Sequence, residues 1–168
     1  QVMNQLSLSF YDKEGDSICR IKEYEYAFKY VSLLLDVIKS SVGLFLIECT
    51  RNSIRERECN ESLYDFITQK FRILDGLESH KLSHFYLQYL LDLAGHLGFK
   101  PMNNYSEDTP FFNLNNGKFE NAPDRKQYQM DMNSSKLLYL YLRAHEGQEP
   151  ESSKADKQIL IDYLLQYY

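Results

Sequence analysis

Within "ECTRNSIRERE", three carboxylates (Glu48, Glu56, Glu58) alternate with three guanidinium groups (Arg51, Arg55, Arg57). Carboxylates this close together can do general acid–base work, and clustered arginines can hold phosphate. Here the signs balance three against three, and Glu48–Arg51 has the i,i+3 spacing of pairs that dress a solvated helix face. A solvated face is the reading the charges favour. His80 and His84 stand four apart, a metal-like spacing on one helix face, but "KLS" separates them and no third ligand stands out. Surface or capping roles fit them better. His96 and His145 fall in last turns of predicted helices, where the dipole favours a cation. Fourteen tyrosines, several in "LLYLYLR" and "LLQYY", invite base stacking. Their spacing is that of a helix core without clustered Lys or Arg, so packing explains them better. No phosphate-binding loop, dinucleotide fingerprint or nucleophile elbow occurs.

The elements that position these groups are predicted by periodicity. Residues 5–28 read as strands: "LSLSFY" alternates, with Leu6, Leu8 and Phe10 on one face, "DKEGD" supplies a turn at Gly15, and "SICRIKEYEYAF" resumes extended character. A lone hairpin is marginal in water, so these strands need a cover. From about Val31 the period becomes helical. Leu35, Ile38, Val42, Phe45, Leu46 and Cys49 predict one apolar helix face. Leu63, Phe66, Ile67, Phe71 and Leu74 predict a second helix, with Asn60 or Ser62 as N-cap and Gly76 just past its end. Leu82, Phe85, Tyr86, Tyr89, Leu90, Leu93 and Leu97 predict a third, closed by Gly98 and blocked by Pro101. "FFNLNNGKFE" has a hairpin signature around Asn-Asn-Gly. Two further helices follow in "NSSKLLYLYLRAH", capped by Asn133 or Ser134, and "SSKADKQILIDYLLQYY", capped by Ser152 or Ser153.

The 168 residues, 43% hydrophobic, can bury a core without disulfides or metals. With 24 acidic and 19 basic side chains the net charge is −5, which argues against a broad nucleic-acid surface built on charge alone. Cys19, Cys49 and Cys59 are odd in number and form no CxxC pair, as expected of reduced thiols in a cytoplasmic protein. No apolar run reaches the roughly 18–20 residues of a membrane span, no signal peptide opens the chain, and a start on Gln1 fits a fragment. The residues alone predict a helical, non-enzymatic interaction domain with a small β element.

The order of segments resembles the RecO family of bacterial recombination mediators. "GLFLIECTRNSIRERECNESLYDFI" is similar to the opening of the family's helical domain: apolar-Phe-Leu-x-Glu, a basic residue, Arg-Glu, then Leu-Phe/Tyr-Asp-Phe. Phe45, Leu46, Glu48, Arg51, Arg55, Glu56, Leu63, Tyr64, Asp65 and Phe66 match it. "HFYLQYLLDLAGHLGFKP" is similar to the family's Leu-Gly-Phe-x-Pro helix through Phe85, Leu87, Leu97, Gly98, Phe99 and Pro101. "FFNLNNGKF" resembles the following segment, and "LSLSFYDKEGDSICRIKE" the last strands of the family's N-terminal OB-fold. The version found in Bacteroides-type bacteria is the nearest in detail.

The resemblance implies a mainly α fold: OB-fold strands over residues 1–30, and a helical bundle over 31–168 carrying a hairpin insert at about 102–130. A complete five-stranded barrel would need about 70 more residues ahead of Gln1. The insert holds no cysteine, so the zinc site of some relatives is not expected, nor any other cofactor. The implied function is DNA repair and homologous recombination: binding single- and double-stranded DNA, annealing strands, displacing single-strand-binding protein and loading RecA with RecR. It implies no enzymatic activity, no membrane partner and a cytoplasmic, nucleoid-associated location. DNA contact would run mainly through the barrel, with Arg51, Arg55, Arg57, Lys70 and Arg72 as further phosphate- or partner-facing candidates. In some relatives the helical domain docks the acidic, Phe-ending tail of single-strand-binding protein. Lys81, His84 and Phe85 are the candidates here, although relatives place arginine at this position. The alternative is a helical protein–protein interaction domain without DNA function.

Overall fold

The computed structural model describes residues 3–11, 19–54, 59–121, 128–144 and 149–168. Strands β1 (Gln5–Tyr11) and β2 (Arg20–Phe28) form an antiparallel hairpin. Five helices follow: α1 (Val37–Ser53), α2 (Glu61–Gly76), α3 (Leu82–His96), α4 (Met132–Arg143) and α5 (Lys154–Tyr167). Between α3 and α4 lies a second small hairpin, β3 (Phe111–Asn113) and β4 (Lys118–Glu120).

Helix α3 is the shared wall of two cores. Leu87, Leu90 and Leu91 pack with β3, β4, α4 and α5 through Phe112, Phe119, Leu138 and Leu160. Leu82, Phe85, Tyr89 and Leu93 pack with α1 and α2 through Leu46, Phe66, Phe71 and Leu74. Apolar residues all round a helix signal burial on more than one side, and α3 is such a helix. It ends as its residues predict. Gly98 takes φ +83, and Phe99 N–H donates to the Ala94 carbonyl at 2.9 Å, closing the last turn.

The first helix corrects the sequence reading. Leu35 precedes the N-cap Asp36 and is 84% exposed, and Ile38 is 59% exposed. The buried face is Lys39, Gly43, Leu46 and Thr50, with Val42, Phe45 and Cys49 beside it. The polar members are affordable inside because each finds a partner: Lys39 at the end of α2, and Thr50 on Tyr89 Oη at 2.7 Å. Two ends also differ from expectation. Gly76 is the last residue of α2 rather than lying past it. Asp131, not Asn133 or Ser134, caps α4, accepting from Ser134 N at 2.9 Å. Asn60 caps α2, and Ser153 with Asp156 forms a capping box on α5.

The insert is bound into the core. Asn104 accepts from Phe119 N and donates to the Phe119 carbonyl, each at 2.9 Å, while Ser135 Oγ accepts from Phe112 N. Gly117 supplies the turn at φ +67, as the Asn-Asn-Gly signal predicts. By contrast, the β1–β2 hairpin projects. A one-residue offset between Ser9↔Glu23 and Phe10↔Ile21 keeps Ile21 on the face of Leu6, Leu8, Phe10, Tyr24 and Tyr26, and all six are exposed.

Candidate functional site

The cleft along the α2–α3 groove gathers the predicted tail-docking residues. It has a volume of about 650 Å³, and Lys81, His84 and Phe85 all line it. Lys81 stands at the end of a one-turn 3₁₀ helix (Ser79–Lys81), exposed, 3.7 Å from Glu78. Phe85 is buried and forms part of the α1–α3 core. His84 is half-buried, its ring stacked on Tyr141 with centroids 5.4 Å apart, and its Nδ1 is withdrawn from solvent with no hydrogen-bond partner among the described residues. Burial holds its pKa below the ordinary histidine value; Glu149 opposes this, while Lys157 and Lys70 add to it.

Among the cleft residues that the sequence does not signal are Ile73 and Leu77 on the α2 side, Lys100 beyond the α3 cap, and Tyr141 from α4. Lys100 follows Gly98 by two residues, so its place is a product of the α3 cap; no periodicity in the sequence signals it. Chemically the cleft offers an apolar floor with cations at its margin. Glu149, which also lines it, already pairs with Lys157, whose ammonium also reaches Ser83 Oγ at 3.3 Å.

The basic candidates do not converge on one patch among the described residues. Lys70 lines the same cleft, paired with Asp92 at 2.9 Å and lying 5.7 Å from the Phe66 ring centroid. Arg72 turns to the hairpin: it lies 4.7 Å over the Phe28 ring and donates to Gln5 Oε1 at 3.1 Å. Arg51 is exposed in the last turn of α1, without an ion pair to Glu48. Arg55 and Arg57, with Glu56 and Glu58, lie outside the described residues, as does His145. His80 is exposed 3.3 Å from Glu78, in surroundings unlike those of His84.

A second cleft, about 820 Å³, opens between the C-terminal end of α1, the start of α2 and the chain's last residues. Ile54, Tyr64, His96, Phe99 and Tyr168 line it. The terminal tyrosines are packing residues, as their spacing predicts. Tyr168 Oη donates to the Leu90 carbonyl and Tyr167 Oη to the Phe99 carbonyl, both at 2.5 Å, and burial raises both phenols. All three cysteines are free, and burial with Glu48 nearby pushes the Cys49 thiol up to about 11. No helix among the described residues is long and apolar enough to cross a membrane.

The chain's likeness to known proteins agrees with this architecture. The family model described as "Recombination protein O C terminal" matches residues 34–168. A DNA repair protein RecO of Christiangramia forsetii is 36% identical over 170 residues, covering 100% of this chain and 70% of that protein. The DNA repair protein RecO of Flavobacterium psychrophilum is 28% identical over 170 residues, covering 100% and 69%. That of Bacteroides fragilis is 29% identical over 107 residues, covering 64% and 44%. No solved structure matches. With its helical body matched from Leu34 to Tyr168, and its whole length matched in the first of these relatives, the chain belongs to the RecO family of DNA repair and recombination proteins.

Proposed function

We propose that this chain acts in recombination as a mediator. Its α2–α3 cleft docks an acidic peptide tail ending in phenylalanine, the tail of single-strand-binding protein, and its hairpin belongs to an OB-fold that holds DNA. The observation that carries the docking reading is the cleft itself. Lys70, Lys81, Lys100 and His84 border an apolar floor that includes Ile73 and Phe85. A terminal carboxylate needs cations and its ring needs an apolar seat, and the cleft offers both. The six exposed apolar residues on one face of β1–β2 support the barrel reading, because such a face is stable only when covered. On this reading residues 1–30 close the barrel and residues 31–168 form the helical domain. The full-length protein then displaces single-strand-binding protein, anneals strands and, with RecR, loads RecA. It works in the cytoplasm on the nucleoid and catalyses no bond cleavage. Arg51, Arg55 and Arg57 remain the phosphate-facing candidates of the helical domain.

Fluorescence anisotropy with a labelled acidic peptide ending in Phe tests the docking. A Kd of about 1–100 μM is expected for a short tail of this kind. Lys81→Glu, or amidation of the peptide's terminal carboxylate, should weaken binding about tenfold or more. His84 sharpens the test: a bound carboxylate raises its depressed pKa, so binding takes up protons and tightens as the pH falls toward about 6. Tight binding of the amidated peptide, or no binding of the acid at about 100 μM, the weak end of the expected range, sinks the docking reading. Strand annealing by the full-length protein, lost on deletion of the barrel, tests the DNA reading. Annealing that survives the deletion, or is never present, overturns it and leaves the protein-interaction alternative.

A further inference from the structure

Among the described residues the hairpin touches the helical body at its base, and that base is built around one carboxylate. Three consecutive backbone N–H groups converge on Asp75: Val31 at 2.9 Å, Ser32 at 2.8 Å and Leu33 at 2.6 Å. These residues are the passage from β2 to α1. Asp75 is buried in the last turn of α2, where the helix dipole disfavours an anion. The three donors offset that, and so does Lys39, a buried cation in the first turn of α1. The Lys39 ammonium donates to the Asp75 carbonyl and to Ser32 Oγ, each at 2.8 Å, and Ser32 Oγ donates in turn to the same carbonyl. Leu33, between these groups, is wholly buried in the α1–α3 core, and its carbonyl accepts from Ser40 Oγ at 2.7 Å.

One turn earlier in α2, Arg72 holds both strands, β1 through Gln5 and β2 through the Phe28 ring. Gln5 also donates to Tyr64 Oη at 2.9 Å. Beyond this base, every described residue from Leu6 to Ala27 is exposed. The direction of the hairpin is therefore decided where it leaves the body, and the end of α2 decides it. The same end of α2 carries Ile73, and the following residue Leu77, to the wall of the α2–α3 cleft.

We propose that Asp75 is a charge lock fixing the direction in which the β1–β2 hairpin leaves the helical body, so that the last turn of α2 holds hairpin and cleft in one geometry. The lock does not depend on what either part binds, so its failure would leave the mediator reading intact, and the reverse. Residual dipolar couplings measured by NMR on this chain test it. In the unmodified chain, couplings from β1–β2 and from the helices should fit one alignment tensor. In Asp75→Asn the hairpin should need its own, weaker tensor, and amide exchange at Ser32 and Leu33 should rise about tenfold or more. Lys39→Met, which keeps the aliphatic stem and removes the ammonium, should loosen the hairpin in the same sense; it decides the matter if Asp75→Asn does not fold. Leu90→Ala, which weakens the core elsewhere, should leave the common tensor intact. A hairpin that still shares the helices' tensor in Asp75→Asn, or that already moves independently in the unmodified chain, overturns the proposal. So does equal loosening by Leu90→Ala, since that would reduce Asp75 to a general contributor to stability.

Discussion

Leu87, Tyr89, Leu90 and Leu93 of α3 are withdrawn from water completely, whereas on the hairpin Phe10 is 56% exposed and Tyr24 64%. Both segments carry an apolar pattern, helical in α3 and alternating in the hairpin. A helix satisfies its own backbone and needs only flanking side chains, which α1, α2 and α5 bring. A two-stranded ribbon has two open edges and two faces, and among the described residues the helical body covers none of them beyond the base. Alternation in a strand thus marks a face made to be buried, and the burial itself depends on a neighbour.

Mutations can break or sharpen this contrast. The largest effect is expected at the centre of α3. Leu90→Ala should cost about 2–5 kcal/mol through the cavity it leaves, seen as a lower midpoint in urea unfolding. A loss under about 1 kcal/mol would mean that the core shared with α4 and α5 is loosely packed. At the joint between the regions, Asp75→Asn should cost about 1–3 kcal/mol near pH 7, the loss expected when a buried network loses its charged acceptor. The sign with pH follows from the geometry. Burial alone would raise the Asp75 carboxyl, but the N–H groups of Val31, Leu33 and Ser32 and the charge of Lys39 outweigh it and hold it below the ordinary value. Its contribution is therefore present above an ordinary aspartate pKa of about 3.9 and is lost as pH falls through the lower folded value. The gap between Asp75→Asn and the unmodified chain should narrow as the pH falls below about 4; a gap that stays constant through that range would contradict the ionic account.

Gly117→Ala should cost about 1–3 kcal/mol. Its φ of +67 disfavours any side chain, and a Cβ there would lie 2.6 Å from Tyr167 Oη, so the insert hairpin and the end of α5 would both shift. The smallest effect is expected on the hairpin: Leu8→Ala should change stability by no more than about 0.5 kcal/mol in this chain, as at other exposed positions. In a longer family member the same substitution should cost about 2 kcal/mol or more if the face is buried there. Equal, small losses in both chains would remove the barrel reading.

Most of the helical body is legible in the residues. The third helix, its Gly98 cap and the Asn-Asn-Gly turn follow from local rules, because a helix end or tight turn is decided within a few residues. At Leu35 and Ile38 the periodicity misleads, because counting apolar residues misses that Lys39 and Thr50 can be buried when partners wait on α2 and α3. The cleft was half legible. Lys81, His84 and Phe85 share one stretch of chain, but Ile73, Lys100 and Tyr141 come from elsewhere and meet them only in space.

By itself the sequence determined the number and order of the helices, the hairpin turn and the family, since each rests on short-range pattern or on likeness along the chain. The phase of α1, the convergence of 31–33 on Asp75, the separation of Lys70 from Arg72 and the open face of β1–β2 were decided by the tertiary structure. Each depends on which distant groups satisfy a buried charge or cover an apolar surface, and no local periodicity encodes that.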